Sequence, residues 1–387
     1  MGKRNLRILL SGMLARVPGQ GGAAWVVLQY LLGLRGLGHE VQFVESLPTD
    51  SLDPAGAGLS ATRNAGYFRH VIQRFGLAGS ATLVDAGTRE TIGLPYDRLR
   101  RFAQRCDLLI NLSGLLRDHE LMDAIPLRVY VDIDPGFTQL WRAVDGIDVG
   151  LSGHNRFVTI GMTLGQPGCP VPTGDIHWIR TVQPLVLEHW PMSEAPACDG
   201  LTTIANWRGY GSVEFGGRHY GQKAHSWRKF FELPAKTGEQ FKPALAIHPG
   251  EVSDLEQLER WGWRLADPAS VAATPEAFRS FVQGSKAEFG IAKSGYVEAN
   301  CGWFSDRSIC YLASGRPVIA QETGFSDYLP TGVGLMAFET EDDVLRCIRS
   351  LNSAYDKHRK AARQLAEDRF DARKVLSGLL GKLGAIR

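Results

Sequence analysis

The sequence predicts an α/β protein of two doubly wound, Rossmann-like domains facing a central cleft. Three observations predict it. At 387 residues the chain is too long for one ordinary core and comfortable for two. Short apolar runs alternate with amphipathic stretches and glycine-rich turns, the text of parallel sheets covered by helices. Around Trp190 to Gly200 the chain reads WPMSEAPACDG, prolines among small residues, which marks a linker and divides it into residues 1–190 and 191–387.

The first half opens on an apolar run, Leu6 to Leu10, read as a buried strand. A loop from Ser11 to Gly22 carries Pro18, Gly19, Gly21 and Gly22, and Ala23 to Leu37 reads as a helix stopped by Gly38. Val41 to Val44 is the next strand, followed by Asp107 to Leu112 and Leu127 to Asp132. Beyond the linker, Leu201 to Ala205 and Ala244 to Ile247 are strands, and Ser253 to Trp261 is amphipathic. Thr274-Pro275 is an N-cap followed by a first-turn proline, opening a helix to about Gln283. The tail from Glu341 to Leu383 is helical, with Thr340 and Asp343 at capping-box spacing.

Composition excludes several classes. Hydrophobic residues at 44% and charged residues at 22% are globular values, so disorder and coiled coil are poor readings. A net charge of +2 offers no long-range attraction to a polyanion, so no nucleic-acid partner is expected. The opening MGKRNLRILLS has a leader-like charge pattern, but its apolar run is only a strand long and meets a glycine loop. No stretch approaches the roughly 20 apolar residues of a membrane span. The six cysteines lack metal-ligand spacing and read as reduced, packed thiols, so a cytoplasmic protein is expected.

The stretch Ala287 to Asp327, AEFGIAKSGYVEANCGWFSDRSICYLASGRPVIAQETGFSD, carries most of the chemistry. Glu288 to Ala292 is a strand, and Lys293-Ser294-Gly295 is the turn beyond its carboxyl end, where backbone N–H groups and one ammonium suit a phosphate. Ser305 is an N-cap, and Asp306-Arg307-Ser308 fills the first turn of a helix ending near Ser314. An arginine there opposes the helix dipole by about a few tenths of a kcal/mol, so an anionic partner is expected for it. Gly315 and Pro317 end that helix, Val318 to Gln321 is a strand, and Glu322-Thr323-Gly324 follows at another carboxyl end.

Tyr311 to Val318, Tyr-Leu-Ala-Ser-Gly-Arg-Pro-Val, resembles the helix–small–Gly–x–Pro–Val signature of the donor domain in GT-B-fold, nucleotide-sugar-dependent glycosyltransferases. Gly21-Gly22, the following helix and Gly38-His39-Glu40-Val41 resemble the opening of the same fold, while residues from about 50 to 220 match it loosely. The resemblance implies an acceptor-binding first domain and a donor-binding second domain. Gly21 and Gly22 would lie near donor phosphates and acceptor. Asp306, Arg307 and Ser308 would contact the diphosphate with Lys293, Ser294, Gly295 and Ser305, and Glu322, Thr323 and Gly324 would contact sugar or ribose. Lys223 stands where a basic residue of this fold often meets diphosphate; a solvated loop lysine is the ordinary alternative. Two departures matter. Retaining members commonly carry two glutamates seven residues apart, and the second position here is Cys310. Plant-type inverting members carry His-Cys-Gly-Trp-Asn-Ser, where this chain has Asn300-Cys301-Gly302-Trp303-Phe304-Ser305. The absent glutamate pair favours inversion.

An inverting transfer needs a base for the acceptor hydroxyl. Asp132-Ile133-Asp134 ends a strand before Pro135-Gly136, so Asp134 is the first candidate, with an Asx turn as its alternative. The Asp-x-Asp spacing there suits a turn better than a metal site, and neither metal nor cofactor is expected. His154, in Ser152-Gly153-His154-Asn155, is the second candidate, against a histidine at the edge of the core. The segments Arg208 to Gly211 and Glu214 to Arg218 read as a mobile flap or an irregular loop. The function expected is sugar transfer from a nucleotide sugar to a hydroxyl-bearing acceptor. A nucleotide-sugar epimerase or pseudo-transferase of the same fold, and a non-catalytic nucleotide or sugar binder, stay open.

Overall fold

A computed structural model describes residues 5–386 except Ser193 and Ala195. Part of the expected linker and the first four residues of the leader-like opening thus lie outside the described residues. Two parallel sheets lie on either side of residues 181–200. The first comprises β1 (Arg7–Ser11), β2 (Glu40–Leu47), β3 (Ala81–Asp85), β4 (Thr91–Ile92), β5 (Leu108–Leu112), β6 (Leu127–Asp132), β7 (Arg156–Thr159) and β8 (Trp178–Arg180). Their order is β4-β3-β2-β1-β5-β6-β7-β8, and only β4 runs antiparallel to its neighbour. In the second half come β9 (Leu201–Asn206), the hairpin strands β10 (Val213–Phe215) and β11 (Arg218–Tyr220), β12 (Phe241–Ala246), β13 (Ala287–Gly290), β14 (Val318–Gln321) and β15 (Leu335–Phe338). The main sheet there has the order β12-β9-β13-β14-β15 and is parallel throughout.

Both orders reverse direction once, at β1/β5 and at β9/β13. Doubly wound sheets bind ligands beyond the carboxyl ends of strands at such switch points. The strands there are buried on both faces: β5 and β13 contain no exposed residue, as expected of strands covered by helices on each side.

The halves are fastened by packing. Trp25, on the helix Gly21–Gly36, stands 4.8 Å from the Trp190 ring and donates its indole N–H to the Pro275 carbonyl at 2.8 Å. The helical tail is three helices, Glu341–Ser353, Tyr355–Arg369 and Ala372–Lys382. The last, counted with 191–387 in the sequence reading, packs on the first half instead. A Cβ on Gly33 would fall 2.7 Å from Leu376 and 2.9 Å from Ala372, and Leu185 exchanges backbone bonds with Phe370 and Ala372. The apolar stripe of Val375, Leu376, Leu379 and Leu380 is buried, and its three leucines join the cluster that contains the first half's helix.

The segment read as a flap or irregular loop is in part the β10–β11 hairpin. No described helix is long and apolar enough to cross a membrane.

Candidate functional site

A cavity of about 510 Å³ opens between the two sheets, lined by Pro18 to Gln20, Gly22, Ala23 and Asp134 from the first half. From the second come Ile204 to Asn206, Lys223, Lys293, Tyr296, Trp303, Ser305, Asp306 and Arg307. A larger, open hollow of about 1250 Å³ lies against β7 and β8, but none of the candidate residues lines it.

The first-half wall is held by Glu45 at the end of β2. Its buried carboxylate accepts the backbone N–H groups of Leu14, Ala15 and Arg16 at 3.0, 2.7 and 2.9 Å, shaping the loop after β1. Burial pushes this carboxyl up to about 7, against the opposing pull of those three donors. Gly21 and Gly22 begin the next helix, which starts two residues earlier than expected. A Cβ on Gly21 would fall 2.2 Å from the Thr274 carbonyl, and its amide donates to Ala272 at 2.7 Å. Gly22 would meet the Phe278 ring at 3.0 Å. Both glycines thus let the helix N-terminus approach the second half, and only Gly22 also lines the cavity.

The two aspartates after β6 have different fates. Asp132 is fully buried and accepts from the hydroxyls of Thr138 and Thr159, the amide of Gln139 and the backbone of Asp134. Burial raises its carboxyl to about 6 against those bonds. It holds the turn. Asp134 projects into the cavity, where its Oδ1 accepts from the hydroxyls of Tyr210 at 2.6 Å and Tyr296 at 2.5 Å, both from the other half. The Lys293 ammonium stands 3.9 Å from the same oxygen and 3.5 Å from the Tyr210 ring centre.

Three cations meet on the second-half wall. Lys293 is displaced down to about 8 by burial, with Asp134 opposing. Lys223 opens the short helix Lys223–Trp227 after the hairpin and donates to the Ile291 carbonyl. Burial holds it well below the usual lysine range, and the charges of Arg307 and Lys293 push it the same way. The solvated-loop alternative for Lys223 is therefore wrong: its side chain is buried because the residue starts a packed helix. Arg307 donates to Glu288 at 2.6 Å and to the Ile204 carbonyl at 2.8 Å. The anionic partner expected for this first-turn arginine is thus Glu288, which is 0% exposed, although Arg307 still borders the cavity.

Other expected contacts are spent internally. The amides of Ser294 and Gly295 donate to the carbonyls of Gln222 and Gly221, so that turn offers its ammonium to the cleft but not those two N–H groups. Gly295 lacks a side chain because Phe137 occupies the space, 2.4 Å from where a Cβ would sit. Ser305 caps the helix Asp306–Ala313 by accepting from the Arg307 amide at 3.3 Å. Asp306 lines the cavity, its carboxyl pushed up by burial against the opposing charge of Arg307. Ser308 is buried and does not line the cavity. Glu322 accepts from the amides of Thr323, Gly324 and Ser326, and the Thr323 hydroxyl donates to Trp303. Gly324 sits at φ +90°, where an added Cβ would strike Asn300 at 2.8 Å. This turn is stacked on residues 300–303 and stays outside the cavity lining.

His154 is a core-edge histidine. Asn111 lies 3.1 Å from its Nε2, the Leu151 carbonyl 3.2 Å from its Nδ1, and the Tyr130 ring packs on it edge to face. It lies two residues before β7, at the amino end of a parallel strand, and does not line the cavity. Burial lowers its basicity further.

Sequence reasoning missed Tyr210, Tyr296 and Trp303. The Tyr296 and Trp303 rings stack at 4.1 Å and form the aromatic side of the cavity. The signal available was an aromatic immediately following glycine in Arg-Gly-Tyr-Gly, Ser-Gly-Tyr and Cys-Gly-Trp. Among the described residues no group of three or more His, Cys, Asp or Glu is arranged to hold a metal ion.

No family model matches the chain, and no curated protein matches it in sequence. Solved structures match over nearly its whole length. An alpha-glucosyltransferase in complex with UDP and a 13-mer DNA aligns with a TM-score of 0.61 at 12% identity, covering 99% of this chain and 100% of that one. Anabaena HepE in complex with UDP and glucose aligns with a TM-score of 0.56 at 10% identity, covering 98% and 100%. Sucrose-phosphate synthase from Thermosynechococcus elongatus aligns with a TM-score of 0.54 at 13% identity, covering 99% and 100%. The chain has the GT-B fold.

Proposed function

We propose that this protein is a glycosyltransferase that moves a sugar from a nucleotide-diphosphate sugar to a hydroxyl-bearing acceptor. The observation that carries the reading is the meeting of Lys223, Lys293 and Arg307 on one wall of the interdomain cavity. Holding cations together in a low-dielectric site is unfavourable; Glu288 bonds Arg307 and Asp134 stands 3.9 Å from Lys293, while the Lys223 ammonium has no ion pair among the described residues. A diphosphate entering beside them would offset that repulsion. The same charges would stabilise the nucleoside diphosphate as it departs, without a metal ion. The glycosyltransferase complexes with UDP named above support the choice of UDP as the first probe.

In this reading Lys223, Lys293 and Arg307 hold the diphosphate beside the helix opened by Ser305. Asp306 accepts from sugar or ribose hydroxyls, because a carboxylate would repel phosphate. The acceptor lies along Pro18 to Ala23, and Asp134, facing it across the cavity, takes its hydroxyl proton. One displacement by one base inverts the anomeric centre. The near-neutral net charge supports a small-molecule or glycan acceptor over a nucleic acid.

Thermal shifts with a panel of nucleoside diphosphates and nucleotide sugars test this. Ligand at about 100-fold over its Kd adds about 2.7 kcal/mol of stability. A shift by at least one diphosphate, with retained activity in chelator, is expected; no response to any member of the panel contradicts the reading.

A further inference from the structure

The geometry points to Tyr210 and Tyr296 as positioning residues for Asp134, so that the first half's base is completed only by hydroxyls from the second half. This inference rests on the reading of Asp134 as the base.

Both hydroxyls converge on one carboxylate oxygen, Oδ1, and lie 3.3 Å from each other. Burial and the nearby carboxylate hold both phenols well above their usual range, so they stay protonated and donate. Two donors on one oxygen fix the carboxyl plane and leave Oδ2 without a hydrogen bond among the described residues, in a side chain 34% exposed. A proton taken from an acceptor hydroxyl would go to Oδ2, while Oδ1 keeps its bonds and its orientation. That division of labour is how a base is oriented by a third group.

The tyrosines are themselves locked by packing. Tyr296 stacks on Trp303, and Tyr210 meets Trp141 edge to face at 4.5 Å and Phe137 at 4.9 Å. Phe137 and Trp141 belong to the helix Phe137–Val144, which follows Asp134 in the first half. The contact therefore ties the placement of the base to the closeness of the two halves. Opening the cleft would remove both donors at once and leave Asp134 free to rotate.

Replacing either tyrosine by phenylalanine keeps the ring contacts and deletes only the hydroxyl. The experiment compares wild type, Tyr210→Phe, Tyr296→Phe and Asp134→Asn. Substrate is whichever uridine, guanosine or thymidine diphosphate sugar the wild type consumes fastest, with UDP binding followed separately. We expect each phenylalanine variant to lose 10- to 100-fold in kcat, to bind UDP within threefold of wild type, and to melt within a few degrees of it. Asp134→Asn should lose more than 1000-fold. Full kcat in both phenylalanine variants beside an inactive Asp134→Asn would overturn the positioning role and leave the base reading standing. Full activity in Asp134→Asn would overturn both, as would a wild type that consumes none of the sugars. Lower melting temperatures with unchanged kcat would make the contact a simple fastening between halves and refute the inference.

Discussion

Two neighbouring turns of the second sheet share one sequence pattern and meet opposite fates. Lys293-Ser294-Gly295 follows β13, and Glu322-Thr323-Gly324 follows β14, each a charged residue, a hydroxyl and a glycine beyond a carboxyl end. Glu322 turns back on itself and accepts three amides of its own turn. The Lys293 ammonium makes no hydrogen bond among the described residues and stands in the cleft beside Asp134. The difference follows from what a strand-to-helix turn leaves unpaired. Its spare groups are N–H donors, which a carboxylate can satisfy and an ammonium cannot. An acid there is absorbed by the fold; a base is left for something else.

Three measurements test that contrast, beginning with the largest effect. Arg307→Ala should cost about 3–5 kcal/mol in urea unfolding, because it strands the buried Glu288 carboxylate. A cost under about 1 kcal/mol would show that Glu288 is not the partner that matters. Lys293→Met should weaken UDP binding about 10- to 100-fold, some 1.4–2.7 kcal/mol, without lowering unfolding stability. Glu322→Ala should do the reverse: a loss of about 1–2 kcal/mol of stability from uncapped amides, with UDP affinity within twofold. Equal effects of the two on binding would erase the distinction between the turns.

A pH series gives the smallest effect. Lys293 is lowered to about 8, so in the free protein it loses its proton above that pH. A bound diphosphate favours the protonated form and raises it. Affinity is therefore fully present below about pH 8 and falls as pH rises, by at most tenfold per unit. Calorimetry with UDP between pH 7 and 9.5 should show this decline in wild type and a weaker one in Lys293→Met. Identical slopes would place the titration elsewhere.

Much of the fold was legible because its central strands are apolar runs. β1, β2, β5, β6, β9, β13 and β14 each overlap a strand expected from such a run. Caps were legible too: Thr274 and Ser305 accept from backbone amides at 3.2 and 3.3 Å, and Thr340 with Asp343 forms its box. The last two strands of the first sheet, β7 (RFVT) and the edge strand β8 (WIR), mix polar with apolar residues over three or four positions, too short for a period to show. At the site, strand–turn–helix grammar located Lys293 and Arg307. It could not supply Glu288, which reaches Arg307 from 19 residues away, or Tyr210 and Tyr296, which reach Asp134 across 76 and 162 residues. The first partner depends on how a strand and a helix of the second half pack, the other two on how the halves close, and no local pattern encodes either. The sequence does not reveal that the His154 loop leads into the amino end of β7, because that strand is only four residues long and carries no clear pattern.

Diffraction from crystals grown with UDP tests the central claim most directly. The account predicts the β-phosphate within hydrogen-bond reach of Lys293 and facing the first turn of the helix Asp306–Ala313, with Asp134 across the cavity. A diphosphate seated away from Lys223, Lys293 and Arg307, for instance in the hollow against β7 and β8, would contradict it.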